Sequence, residues 1–366
     1  MRNIGVYIHI PFCKGKCPYC DFYSVRCDAD LEMAYTNAVI KCINNHKGIK
    51  ADTLYIGGGT PSCINSKNLT DMITTARKSF DINDSAEITV ECNPSNDLHS
   101  LLPMLADVGV NRISMGLQSA VFQERQSLGR KAQPKDVQNS IETAHAVGID
   151  NISLDLMLGV PNQTQGSLEQ SIKFCTNSGA THISAYILKI EENTHFYKIK
   201  DKLNLPNEDE TASLYLHACQ QLEESGFAQY EISNFAKQGK ESKHNLKYWN
   251  SNEYLGIGAS AHSFLKGKRF YYDRDLNSFI NGANSIQDGT GGDFEEYVMM
   301  RLRLTQGLQN EEVQQRFGYA IPENMQNRAN QLEKHGLTVC DDTGIRLTKN
   351  GFLLSNSVIS DLLWNN

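Results

Sequence analysis

The chain has 366 residues, 40% hydrophobic and 21% charged, enough apolar material for one large core and a smaller appended unit. A formal net charge of −7 with no block of Lys or Arg speaks against a nucleic-acid partner, which a basic face would announce. The opening "MRNIGVYIHIPFC" has one early Arg and a short apolar run broken by Pro11, which fits neither a signal peptide nor a membrane span; a cytoplasmic location is expected, with peripheral contact at the inner membrane left open.

From the start to about residue 190, short β-branched runs alternate with helical patterns, as in a parallel α/β sheet. The predicted strands are 5–10, 53–58, 87–92, 112–117, 151–158 and 181–188, and between them 28–45, 65–80 and 134–148 read as helices, the last stopped by Gly148. Polar residues gather at the strand ends: the cysteine loop after the first, "GGGTPS" after the second, "ECNP" after the third, "GLQS" after the fourth, Asp155 on the fifth and Tyr186 on the sixth. In an α/β barrel such groups converge on one mouth, so a partial barrel with one cleft is expected.

Beyond residue 205 the texture changes. "NEDETASLYLHACQQLEESG" is helical, "HNLKYWNSNEYLGIGASAHSF" is dense in aromatics, glycine and histidine, and "SIQDGTGGDF" at 285–294 reads as a linker. Two helices, a hairpin around Asp342–Gly344 and a last helix follow, an order similar to a winged helix. The expected domains are a core at 1–205, an extension at 206–290 and a C-terminal winged-helix-like α+β module at 291–366.

Cys13, Cys17 and Cys20, spaced C-x3-C-x2-C, can gather three thiolates around one metal centre. Structural zinc takes four ligands, so a zinc site would need His9 or Cys27 as well. A four-iron cluster on three thiolates instead keeps one iron for a small molecule. Lys14 and Lys16 would offset its charge, and Phe12, Tyr19 and Phe22 would limit water. The other seven of the ten cysteines are scattered, as buried thiols in a reducing compartment are. Gly57, Gly58, Gly59, Thr60 and Pro61 allow close backbone approach to a ligand, or make a tight turn and nothing more.

The cysteine motif behind a first strand, followed by G-G-G-T-P behind the second, resembles the radical S-adenosylmethionine (SAM) superfamily. The resemblance implies a partial (β/α)6 barrel, a [4Fe-4S] cluster on Cys13, Cys17 and Cys20, and S-adenosylmethionine chelated by the open iron. It assigns cofactor contacts to Tyr7, Gly58, Gly59, Thr60, Glu91, Gln118, Arg130 and Asp155, with Tyr19 beside the adenine.

Nearly the whole chain, including "YEISNFAKQGKESKHN" and "YLGIGASAHS", is similar to the oxygen-independent coproporphyrinogen III oxidases and their relatives. The oxidases carry a fourth cysteine two residues after the third and a long N-terminal extension; here Phe22 holds that position and the cluster motif begins at residue 13. Phenylalanine there, with H-N-x-x-Y-W, resembles the HemW-type haem chaperones. That resemblance implies haem held around His244, Tyr248 and Trp249, with His262 a second candidate for haem or for lining the nucleotide cleft. It also implies transfer of haem to acceptor proteins, membrane-bound respiratory enzymes among them, and admits a homodimer. The competing readings are oxidative decarboxylation of coproporphyrinogen propionates and a zinc-stabilised α/β protein. No residue is assigned a catalytic role, and enzymatic activity stays open.

Overall fold

The N-terminal strands alternate in chemistry, and this alternation builds the fold. In β1 (Ile4–Ile10), Val6, Ile8 and Ile10 are fully buried and share one apolar cluster with Val39 and Ile43 of the helix Ala29–Asn45, while Tyr7 and His9 take the opposite face. Period-two alternation of this kind separates two faces of a strand. The same split recurs in β2 (Lys50–Gly58), β3 (Asp81–Cys92), β4 (Arg112–Gln118), β5 (Asn151–Leu158) and β6 (His182–Ile187). Leu54, Ile56, Val90, Ile113, Met115, Ile152 and Leu154 join the apolar layer. Thr53, Tyr55, Glu91, Ser114 and Asp155 occupy the alternate register, in which Tyr55 donates to Glu91 and Ser114 to Asp155. The result is an apolar layer under the helices and a polar lumen.

The computed structural model describes residues 3–94 and 96–364. Strands β1 to β6 lie in sequence order and are all parallel, so each connection is a crossover that returns the chain to the same end of the sheet. The crossover helices start at capped positions: Asp28 accepts from the Leu31 amide at 3.0 Å, and Asn65 from the Lys67 amide at 2.9 Å. The predicted partial (β/α)6 barrel is the observed core.

The sheet continues beyond the sixth strand. β7 (Tyr254–Ile257) pairs in parallel with β1, and an antiparallel ribbon of β8 (His262–Leu265), β9 (Lys268–Tyr271) and β10 (Ile286–Thr290) follows it. At the other edge, Asn234–Ala236 pairs antiparallel with β6. The segment expected to be a linker at 285–294 therefore contains an edge strand, all five residues of which are exposed. The structure joins 206–290 to the same twelve-stranded sheet as the core. The C-terminal part has helices Asn310–Phe317 and Glu323–Glu333, the hairpin Thr338–Asp341 with Gly344–Leu347, and helices Lys349–Leu353 and Ser355–Trp364. Gly318 ends the first of these helices in the left-handed region, φ 81°. No helix among the described residues is long and apolar enough to cross a membrane.

Candidate functional site

The cysteine loop leaves β1 through Pro11 and is pinned at its base. Phe12–Cys13 pairs in parallel with Val25–Arg26, and the Cys27 amide donates to the Cys13 carbonyl at 3.3 Å. A turn in which the Cys20 amide donates to the Cys17 carbonyl at 3.1 Å shapes the loop between them. All three thiols are half-buried and line one cavity, together with Lys16, Tyr19 and Phe22. Phe12 does not join them: it is buried and packs edge-on against Tyr35, because it lies in the apolar layer. Burial raises the Cys13 and Cys20 thiols above their ordinary range, with the neighbouring thiols adding to the shift.

The glycine turn crosses directly against this loop. Gly59 and Thr60 donate to the carbonyls of Ile10 and Phe12, both at 2.8 Å, and the Thr60 hydroxyl lies 3.2 Å from Cys13 Sγ. A Cβ on Gly59 would sit 2.6 Å from the Phe12 carbonyl oxygen, a backbone atom that cannot step aside. Gly58, at φ 113°, has the His9 ring where its Cβ would be. These glycines are a requirement of the close approach between turn and loop.

Four polar strand-end residues complete the cavity. Glu91 accepts from the Tyr55 hydroxyl at 2.7 Å and from the Gly58 amide at 3.0 Å; burial holds its carboxyl above the usual range, against the pull of those bonds and of Arg112. Asp155 is pushed up to about 7 by burial first and by Glu91 second. Gln118 adopts φ 68° at a register shift that ends β4, and its side chain accepts from Tyr186 at 2.9 Å. A non-glycine residue in that region is strained and persists only where its surroundings hold it, often at a ligand site. Arg130 donates to the Gly116 carbonyl at 2.5 Å and approaches Cys17 Sγ at 3.8 Å, while its buried Nε has no partner. A buried unpaired donor beside acidic groups is a place where a polar ligand is expected.

Of the expected cofactor residues, the three cysteines, Tyr19, Gly58, Gly59, Thr60, Glu91, Gln118, Arg130 and Asp155 line this one cavity. Tyr7 lies in a neighbouring cleft with His9, Tyr23, Tyr248, Tyr254, His262 and Arg274; Phe22, Gly58 and Glu91 border both spaces. His9 and Cys27 do not complete a four-ligand set. His9 is 6% exposed, with its ring nitrogens on the Tyr7 hydroxyl at 2.9 Å and the Tyr23 carbonyl at 3.3 Å, and Cys27 Sγ lies 2.8 Å from Cys63 Sγ. Among the described residues no three metal-binding side chains gather on one point, and the three thiols ring a space instead.

The H-N-x-x-Y-W segment forms the helix Lys243–Trp249, which plugs the lumen from the opposite end. The Lys243 and His244 amides donate to the Glu87 carboxylate at 3.1 and 3.0 Å, and Lys247 pairs with Asp52 at 2.6 Å. His244 is 1% exposed, stacks on Tyr55, and has Nδ1 on the Thr53 hydroxyl and Nε2 on the Tyr248 hydroxyl, each at 2.8 Å. Burial, helped by Lys247 and Arg112, lowers it to about 3, so it is a neutral ring. Tyr248 reaches the aromatic cleft, whereas Trp249 lies under the Arg303 guanidinium. The three motif residues therefore serve three different surroundings.

Residues 7–175 match the radical SAM superfamily, and residues 293–354 match the HemN C-terminal domain. Over 98% of its length the chain is 36% identical to "Heme chaperone HemW" of Bacillus subtilis, and it covers 99% of that protein. The chain belongs to the HemW family of the radical SAM superfamily. HemW of Lactococcus lactis is 32% identical, with 98% of this chain and 97% of that one covered, and HemW of Haemophilus influenzae is 30% identical, with 91% and 94% covered. The solved coproporphyrinogen III oxidase HemN of Escherichia coli has the same fold, with TM-score 0.85 at 21% identity over 100% of this chain and 91% of that one.

In this HemW-family chain several cavity residues escape motif reading. Ser114 and Gly116 line the cavity, and a Cβ on Gly116 would lie 2.7 Å from the Gln118 amide nitrogen and 3.0 Å from the Arg130 guanidinium. Tyr55 positions Glu91. Gly116 lies two residues before Gln118 and Ser114 two before Gly116, so the period-two register of that strand was the available signal for these two, whereas Tyr55 had none beyond its alternation with Leu54 and Ile56.

Proposed function

We propose that this protein is a haem chaperone that carries a [4Fe-4S] cluster on Cys13, Cys17 and Cys20, binds S-adenosylmethionine in the adjoining cavity, and passes haem to acceptor haem proteins, respiratory enzymes among them. The observation that carries the cofactor part is the convergence of three thiols, the glycine turn and four polar strand-end residues on one cavity. The haem part is supported by the curated relatives of full length, which are named as haem chaperones.

The residues fit the cofactors in chemistry as well as in place. Lys16 beside the thiols offsets the charge of a thiolate-ligated cluster, and Arg130, with a donor left over, faces the same space as Glu91 and Asp155. When bound, the cluster would supply a vacant iron for the methionine end of the cofactor. The Gly58 amide and the Tyr55 hydroxyl fix the Glu91 carboxylate that faces this cavity, the Gly59–Thr60 backbone holds the loop against the turn, and Tyr19 restricts water.

The test is a paired assay on one anaerobically reconstituted preparation. Iron and sulfide are counted, S-adenosylmethionine and haem are titrated, and coproporphyrinogen is incubated with S-adenosylmethionine and a reductant. Four irons, saturable haem and no protoporphyrinogen are expected. Protoporphyrinogen formation would establish the decarboxylase instead, and a colourless protein with one zinc would overturn both.

A further inference from the structure

Three histidines surround or underlie the aromatic cleft, and their ring nitrogens differ in availability. The Tyr23 carbonyl can only accept, so His9 donates to it through Nε2 and accepts from the Tyr7 hydroxyl at Nδ1; both nitrogens are committed. His244 is committed at both nitrogens too, to Thr53 and Tyr248, beneath the cleft. His262 begins β8 immediately after the loop that leaves β7, the same end of the parallel sheet at which the cysteine and glycine loops lie. Its ring is exposed, stacks against Tyr271 at 5.1 Å, lines the cleft, and has no protein hydrogen-bond partner at either nitrogen among the described residues.

The rest of the cleft suits a planar macrocycle with acidic side groups. Tyr7, Tyr23, Tyr248 and Tyr254 supply ring faces and edges, and Phe22, 68% exposed, stands at the border with the cysteine cavity. Arg274 is the cation of the cleft. One guanidinium nitrogen donates to the Asp21 carbonyl at 3.0 Å, which fixes the side chain, and its other donors have no protein acceptor among the described residues. Two carboxylates share the lining, but Glu91 is engaged by Tyr55 and Gly58, and Asp21 stands beside Arg274.

We propose that His262 is the axial ligand of haem seated in this cleft, with Arg274 receiving a propionate and His244 acting only as the buried support of Tyr248. This assignment rests on the haem-chaperone reading above. An imidazole with an uncommitted nitrogen can bind iron without breaking protein contacts, whereas His244, 1% exposed, would have to give up the hydrogen bond at whichever nitrogen took the iron. Because Phe22, Gly58 and Glu91 border both spaces, haem held here lies directly beside the cofactor cavity.

The cluster-reconstituted full chain is titrated with ferric haem, followed by the Soret band and by electron paramagnetic resonance. H262A should weaken binding about tenfold or more and erase the imidazole signature, which added imidazole should restore. H244N should keep that signature even if the fold loses stability. R274Q should weaken binding of haem and leave binding of its dimethyl ester unchanged. H262A with wild-type affinity and signature, or loss of the imidazole signature in H244N alone, would overturn the assignment. A wild-type chain that binds no haem would defeat the chaperone reading itself, a result distinguishable from a wrong ligand.

Discussion

The two ends of the lumen are both lined with polar side chains, yet they differ in what those side chains bond to and how open they are. At the floor, Thr53, His244 and Tyr248 form a continuous hydrogen-bonded chain, Glu87 takes two helix amides, and His182 bridges Ser153 and Tyr230 at 2.8 Å on each side. At the mouth, three thiols are half-exposed, Arg130 keeps an unpaired donor, and Gln118 is held in a strained backbone region. Polarity inside a barrel does not itself mark function. Hydrogen-bond chains rigidify the floor, where Thr89 Oγ1 and Arg112 Nε are unpaired as well, so the unpaired Arg130 donor marks a site only together with the thiols, glycine turn and Gln118 that converge on the same cavity.

The sharpest way to break this contrast is at the thiols. Cys20→Ala would remove one of the three cysteines proposed to hold the cluster, and neither Cys27, in contact with Cys63, nor the doubly bonded His9 is placed to replace it. Reconstituted iron should fall to background and the brown absorbance should vanish, while the melting temperature of the unreconstituted chain stays close to wild type. Retention of four irons would show that another residue completes the site. Gly59→Ala comes next. Its methyl group would meet the carbonyl oxygens of Phe12 and Ile10 at 2.6 and 2.9 Å, so either the turn or the loop must move. A stability loss of about 1–3 kcal/mol is expected from the overpacking. Affinity for S-adenosylmethionine should drop with it, as isothermal titration would show.

At the floor the expected signature is reversed. His244→Asn breaks a buried chain and leaves the Thr53 and Tyr248 hydroxyls short of partners, at a cost of about 2–4 kcal/mol. Thermal unfolding should register the loss, while cluster iron content and S-adenosylmethionine affinity stay near wild type. A variant that kept its stability and lost the cofactor would erase the distinction between floor and mouth.

How much of this was legible in sequence follows from what each segment buries. The six N-terminal strands could be read because every second residue joins the apolar layer under the helices, as Val6, Ile8 and Ile10 do. The cysteine and glycine motifs could be read because their chemistry is local. Strand β7 could not be read as the neighbour of β1: its glycine-containing run is short, and nothing local says which of two distant edges it joins. Ile286–Thr290 is exposed on both faces and so carries no alternation, which is why its composition looked like a linker. The motif around His244 drew attention to that segment. It could not show that the ring nitrogens are already taken, because Thr53, one of the partners, lies almost two hundred residues earlier in the chain.

The smallest predicted effect separates the cost of the site from its use. Asp155 ordinarily ionises near 3.8 and is raised to about 7 in the folded chain, chiefly by burial and then by Glu91. A carboxyl raised on folding favours the folded state in its neutral form. Its penalty is therefore absent below about pH 4, grows as ionisation proceeds in the unfolded chain, and is complete above about pH 7. Glu231, raised to about 7 by burial, adds a penalty of the same sign at a different place in the fold. Asp155→Asn removes only the first share. The cofactor-free variant should gain stability over wild type at about pH 8 and show little difference at about pH 4, and it should bind S-adenosylmethionine more weakly throughout. Melting curves at several pH values, set beside titrations of the cofactor, make the comparison; a stability gain independent of pH would mean that the burial of Asp155 is not what the mouth of the lumen costs the fold.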